Sequence, residues 1–225
     1  MTLKPDLQKI FAFSSLLTAL VVLAFFVNQA TGNTLIQGII PRSVEGLVGI
    51  ITVGFVHADC IHLASNCTAL FFLTTLLSIT YPKKYFSIFW LLYFVTNICV
   101  WLAARNAIHV GISGTLYAEA AFIFFAGLLS KEKGAAGISL IIVFMYGGAV
   151  WGIFQKQPHI SWESHALGAL TGCISAFVYR FKYAKNLQPA IVQPNLYSTD
   201  FVYVSSTDTR YQTTYNYSES NSNTD

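Results

Sequence analysis

The chain has 225 residues, of which 54% are hydrophobic and only 10% charged, with a formal net charge of +3. A soluble domain carries about 25% charged residues, so a water-soluble globule is excluded, and a small net charge without a basic stripe excludes nucleic acid as a partner. The charge deficit runs along most of the chain, which points to several membrane spans rather than one anchor.

In chain order, apolar runs of the roughly 20 residues that cross a bilayer predict spans at 10–27, 61–80, 85–104, 113–130, 136–154 and 163–182. The first run has no convincing small-residue cleavage site and is followed by further spans, so it reads as a retained helix rather than a signal peptide. Between spans one and two, the stretch 47–56 is too short to cross and is bounded by Arg42, Glu45 and His57. It reads as a re-entrant or interfacial piece packed on the bundle. Cys60, Cys67, Cys99 and Cys173 match neither a metal motif nor a disulfide framework and read as small packing residues. From 186 to 225 the chain turns to Ser, Thr, Asn and Tyr without a helical period, the composition of a disordered cytoplasmic tail. The predicted organisation is therefore all-α: a polytopic six-helix domain over 1–185 and a polar tail over 186–225.

Orientation follows from the basic residues. Lys4, Lys9, Lys83, Lys84, Lys131, Lys133, Arg180, Lys182 and Lys185 fall at one set of ends, against Arg42, Arg105 and Lys156 at the other. Both termini are thus expected in the cytoplasm of a plasma or inner membrane. Spans two, four and six then begin on the external side. Ser113 opens span four, His165 opens span six, and His62 with Asn66 opens span two, so all four are expected in one outer layer of the membrane.

Helical spacing adds direction. His62 and Asn66, four apart, share a helix face, as do Ser113 and Tyr117. His165, Gly168 and Gly172 form a stripe, and small residues of that kind let membrane helices approach closely. Ala118 and Ala121 offer span four a similar surface. The residue types fit nucleophilic acyl transfer, in which a neighbouring base takes the proton of a serine and hydrogen-bond donors stabilise an oxyanion. His62, Asn66 and the Ser113 backbone N–H are candidate donors. Gly111 and Gly114 allow a tight, approachable turn around the serine. Glu163 lies two residues from His165 and points to another face, so a Ser–His dyad is expected rather than a triad, with Tyr117 packed on the imidazole. Polar groups inside a bilayer are functional candidates by default. The bland readings are a helix-packing serine, interfacial histidines and interhelical bridges. No metal site is expected, because His57 and His62 are five apart rather than the four of a helical zinc pair. His109 and His159 read as loop histidines. Glu119, about 9 Å along the helix from Ser113, reads as a hydrogen-bonded or protonated acid inside the bundle.

At His57-x4-His62-x3-Asn66, at Gly111-Ile112-Ser113-Gly114 with Tyr117, and at His165-x2-Gly168-x3-Gly172, the chain resembles the rhomboid family of intramembrane serine proteases, over roughly residues 40–182. The resemblance implies a basic six-helix form that cleaves transmembrane protein substrates near their external end without metal or cofactor. It implies Ser113 as nucleophile, His165 as general base, His62 and Asn66 as oxyanion-hole donors, and His57 as a structural loop histidine. Gly111, Gly114, Tyr117 and Gly168 would support the site, which would open to the external side. Three departures stand out: no Trp-Arg pair accompanies Arg42, Ala and Glu replace some glycines after the serine, and Thr80-Tyr81-Pro82-Lys83-Lys84 replaces the acidic residue and glycine after span two. A rhomboid-like protein that binds membrane segments without cutting them, and a small transporter, are the competing classes. The sequence leaves the oligomeric state open.

Overall fold

The computed structural model describes residues 7–130, 133–150, 152 and 161–184, so the expected tail and His159 lie outside the described residues. Among them are seven α-helices and no β-strand: α1 (Leu7–Ala30), α2 (Gly49–Thr52), α3 (Cys60–Thr80), α4 (Tyr85–Ala103), α5 (Ser113–Leu129), α6 (Lys133–Tyr146) and α7 (Trp162–Ala184). The compact unit that holds every contact described below ends at Arg180. The six long helices fall on the six predicted spans.

The helices are apolar all round, which fits a body whose outside meets lipid. Val21, Leu70, Leu73, Leu77, Phe89, Leu92, Phe122 and Ile123 form the packed interior, while Leu16, Leu23, Phe26, Phe72, Phe144 and Val178 stay exposed. Only 28% of the α1 span is buried within the protein, so the rest of that apolar surface requires a bilayer. The chain is a polytopic helical membrane protein. Helices α1, α3 and α4 are long and apolar enough to cross. Helix α5, with 17 residues, is about 25 Å long, short of the roughly 30 Å hydrocarbon core. Non-helical chain must complete that crossing. Likewise α6 ends at Tyr146 and tightens into a 3-10 turn over Gly147–Val150, where the sequence predicts a longer helix.

Non-helical backbone at membrane depth survives only where protein satisfies its hydrogen bonds. Two segments solve this together. Ile39 and His109 exchange backbone hydrogen bonds at 2.9 Å each, and the Gly111 N–H reaches the Val53 carbonyl at 3.1 Å. The predicted re-entrant stretch is a run of 3-10, α and 3-10 turns over Glu45–Phe55. Side chains of α4 cap its open carbonyls: Tyr93 Oη donates to Ile51 at 2.7 Å and Asn97 Nδ2 to Ile50 at 3.2 Å. Arg42 adopts φ +57° and donates from Nη1 to the Ala104 carbonyl at 2.7 Å. Trp101 Nε1 answers with a bond to the Ser43 carbonyl at 2.9 Å. A cation thus sits on the carbonyl end of α4, where the helix dipole favours it.

Helices α5 and α7 meet backbone to backbone. A Cβ added at Gly168 would lie 2.0 Å from the Gly114 carbonyl oxygen, and one at Gly172 would lie 2.1 Å from that of Ala118. The predicted glycine stripe is therefore the contact surface, with Ala118 and Ala121 opposite it. Replacing Gly168 by Ala should cost about 1–3 kcal/mol through overpacking. The check is thermal unfolding in detergent, with Gly137→Ala, where nothing lies within 4 Å, expected to leave the midpoint near wild type.

Candidate active site

Three helix N-termini, those of α3, α5 and α7, converge around Gly111. Asp59 starts α3 by accepting the His62 N–H at 2.8 Å, the usual way a side chain satisfies an orphan donor at a helix start. Helix α5 begins at Ser113 with no side-chain cap on Ile112. The N–H groups of Thr115 and Leu116 return to the Ile112 carbonyl, and those of Ser113 and Gly114 have no partner within the helix.

The serine hydroxyl lies 3.0 Å from His165 Nε2. On the far side of the ring, Nδ1 is 3.2 Å from the Gly152 carbonyl. A carbonyl only accepts, so Nδ1 carries the proton and Nε2 is left to accept from Ser113. The Tyr117 ring lies flat on the imidazole, with centroids 4.3 Å apart and planes 9° apart. A side chain at Gly152 would strike the Tyr117 hydroxyl. Glu163 does not touch the histidine. It pairs with Arg105 at 3.3 Å, a partner the sequence reading did not name.

Gly111 has φ +100°, a conformation that suits glycine. A Cβ there would meet His62 Cε1 at 2.9 Å, His62 Nε2 at 3.0 Å and Asn66 Nδ2 at 3.3 Å. The histidine and the asparagine thus point at the turn that carries the serine. Asn66 is buried, and its Nδ2 has no hydrogen-bond partner among the described residues. A buried donor without a partner is uncommon, and this one lies beside the turn that carries the serine. The same Asn66 and Ser113 line an apolar cavity of about 550 Å³. Leu73 of α3, Phe124 of α5 and Ile142 and Tyr146 of α6 also line it.

Each of the candidate site residues falls within the described part of the chain. Ser113, His165, His62, Asn66, Gly111, Tyr117 and Gly168 come together, and Gly114 is packed against the Ser164 carbonyl. Glu119 lies away from them, fully buried, and takes the Thr74 hydroxyl at 3.2 Å to each carboxyl oxygen. That bond ties α5 to α3. Among the described residues no group of three or more His, Cys, Asp or Glu forms a metal-binding cluster. The sequence reading missed the Gly152 carbonyl, which has no side-chain signal, and Asp59, whose position just before an apolar run is a cap signature.

A rhomboid domain model matches residues 44–182, more than half of the chain. This chain belongs to the rhomboid family. It is also similar to uncharacterized proteins of Mycobacterium tuberculosis and Mycobacterium bovis, each 26% identical over 71% of both chains. An uncharacterized protein of Mycobacterium leprae is 25% identical over 71% of this chain and 67% of its own.

His57 adds a measurable property. It is buried beside His62, their ring centroids 5.1 Å apart, and neither of its nitrogens has a partner among the described residues. Burial, helped by the nearby His62 and opposed by Asp59, lowers its pKa from 6.5 to about 4. A histidine kept neutral by folding binds its proton more readily when unfolded. Its contribution to stability is therefore complete above the unfolded value and is lost as pH falls from about 6.5 toward about 4. This single group should remove about 2 kcal/mol between pH 7 and pH 5. Thermal midpoints of wild type and His57→Gln across that window measure it, and the variant should show the shallower decline.

Proposed function

We propose that this rhomboid-family protein is an intramembrane serine protease that cleaves transmembrane segments of membrane proteins, with Ser113 as nucleophile and His165 as general base. The reading rests above all on the Ser113–His165 hydrogen bond of 3.0 Å, with the imidazole tautomer fixed by Gly152. Family membership supports it as well, since rhomboid proteins are generally proteases of this kind.

In this mechanism His165 Nε2 takes the hydroxyl proton as Ser113 Oγ attacks the scissile carbonyl carbon. The negative charge that develops on the carbonyl oxygen is met by Asn66 Nδ2, His62 and the Ser113 N–H. The imidazolium then passes its proton to the departing amine, and the C–N bond breaks to leave an acyl-serine. A water molecule, deprotonated by His165, attacks the ester and restores the serine. The apolar cavity below Ser113 suits side chains of a membrane segment, and the basic-residue bias supports cytoplasmic termini with the site opening outward.

Purified protein in detergent, incubated with a fluorogenic transmembrane substrate, tests this. Ser113→Ala and His165→Ala should each lower the cleavage rate by at least about a thousandfold. A fluorophosphonate should label wild type and not Ser113→Ala. Cleavage that survives either substitution sinks the mechanism, and binding of membrane segments without cleavage or labelling would assign the chain to the non-proteolytic class.

A further inference from the structure

A second histidine–serine pair lies next to the first. His109 is four residues before Ser113, Ser161 is four before His165, and the two pairs share the same sequence separation, 52 residues. His109 is 2% exposed and held by its backbone exchange with Ile39. Its Nε2 faces the Arg105 carbonyl at 3.1 Å. That carbonyl can only accept, so Nε2 carries the proton and Nδ1 accepts from the Ser161 hydroxyl. With its own proton committed, the Ser161 oxygen takes the Ser164 hydroxyl at 2.6 Å. The chain of bonds therefore has one direction, from Ser164 through Ser161 to His109.

Ser161 also opens α7: its carbonyl accepts the N–H groups of Ser164 and His165. The tie thus fixes the first turn of the helix that carries the base to the loop that carries the serine. One turn further in, the Gly114–Gly168 contact fixes α7 to α5 itself, which begins at the serine. The dyad sits between these two fastenings. The Arg105–Glu163 pair runs alongside but is partly exposed, and such pairs are worth little.

The geometry points to His109 and Ser161 as positioning residues that set the height and rotation of His165 over Ser113. This inference rests on the protease reading. Its expected signature is a loss in kcat, because an error of about 1 Å in a reacting pair can cost about a hundredfold while distant binding contacts stay intact.

The test compares Ser161→Ala, Ser161→Thr and the double variant Ser161→Ala/His109→Leu in detergent. Ser161→Ala should lower kcat and the rate of fluorophosphonate labelling by about tenfold, with KM and the thermal midpoint unchanged. Ser161→Thr, which keeps the hydroxyl, should restore both rates. The double variant should be about as slow as Ser161→Ala, since the His109–Ser161 bond is already lost there and His109→Leu further removes only the bond to the Arg105 carbonyl within the same loop. A Ser161→Ala enzyme as fast as wild type would overturn the inference, and so would a slow one whose midpoint falls in step with its rate. Nitrogen-15 NMR of the histidines reads the tie without catalysis. Wild type should show His165 as a single Nδ1–H tautomer, and Ser161→Ala a mixture. An unchanged His165 signal overturns the positioning role. Absence of both cleavage and labelling in wild type overturns the protease reading and leaves the NMR result to judge the tie.

Discussion

Direct backbone contact between α5 and α7 is the constraint on which the rest of the molecule depends. Within a bilayer, two helices gain nothing by hiding apolar side chains from each other, because lipid is equally apolar. What holds them is close packing and short-range polar contact. Gly168 against Gly114 and Gly172 against Ala118 let the two axes approach as near as their backbones allow. At that separation a serine at the first position of one helix and a histidine one turn into the other fall within a hydrogen bond. A single methyl group in the seam would push them apart.

The serine sits at a helix start rather than within a helix, where its own N–H and its neighbour's are left over. This shortens α5 and brings irregular backbone into the membrane, with the cost that unsatisfied amides carry in that medium. The protein meets it by pairing one irregular segment with another: Ile39 with His109, and Gly111 with Val53. Side chains of α4 cap what remains. The tight glycines of the first segment follow from the same arrangement, since a Cβ at Gly46 or Gly49 would collide with the backbone of residues 38–40.

Much of this was legible in the sequence because it rests on period and length. Six apolar runs gave six helices. Spacings of three and four put His62 beside Asn66 and aligned the α7 glycines. The glycine before the serine foretold the turn at φ +100°. What stayed illegible has a common physical origin: it is backbone chemistry or contact between distant segments. The Gly152 carbonyl belongs to no side chain, so no residue type announces it. His109 and Ser161 are 52 residues apart, and each alone resembles any polar loop residue. The 3-10 turn after α6 begins at Gly147 and Gly148, two poor helix formers inside a run that apolar length alone reads as one helix. Glu163, two residues from His165, lies on another face by helix geometry, and it pairs with Arg105.

The partner that orients His165 is an amide carbonyl, and this has an electrical consequence. A carboxylate in the same place would be a permanent monopole near a low-dielectric medium, with a self-energy on the order of 20 kcal/mol in the idealised limit. A carbonyl supplies direction as a dipole. In the tautomer that this carbonyl selects, alcohol, imidazole and amide carry no formal charge between them. A transmembrane voltage does work of about 2.3 kcal/mol per elementary charge for each 100 mV, and here it finds no charge to move.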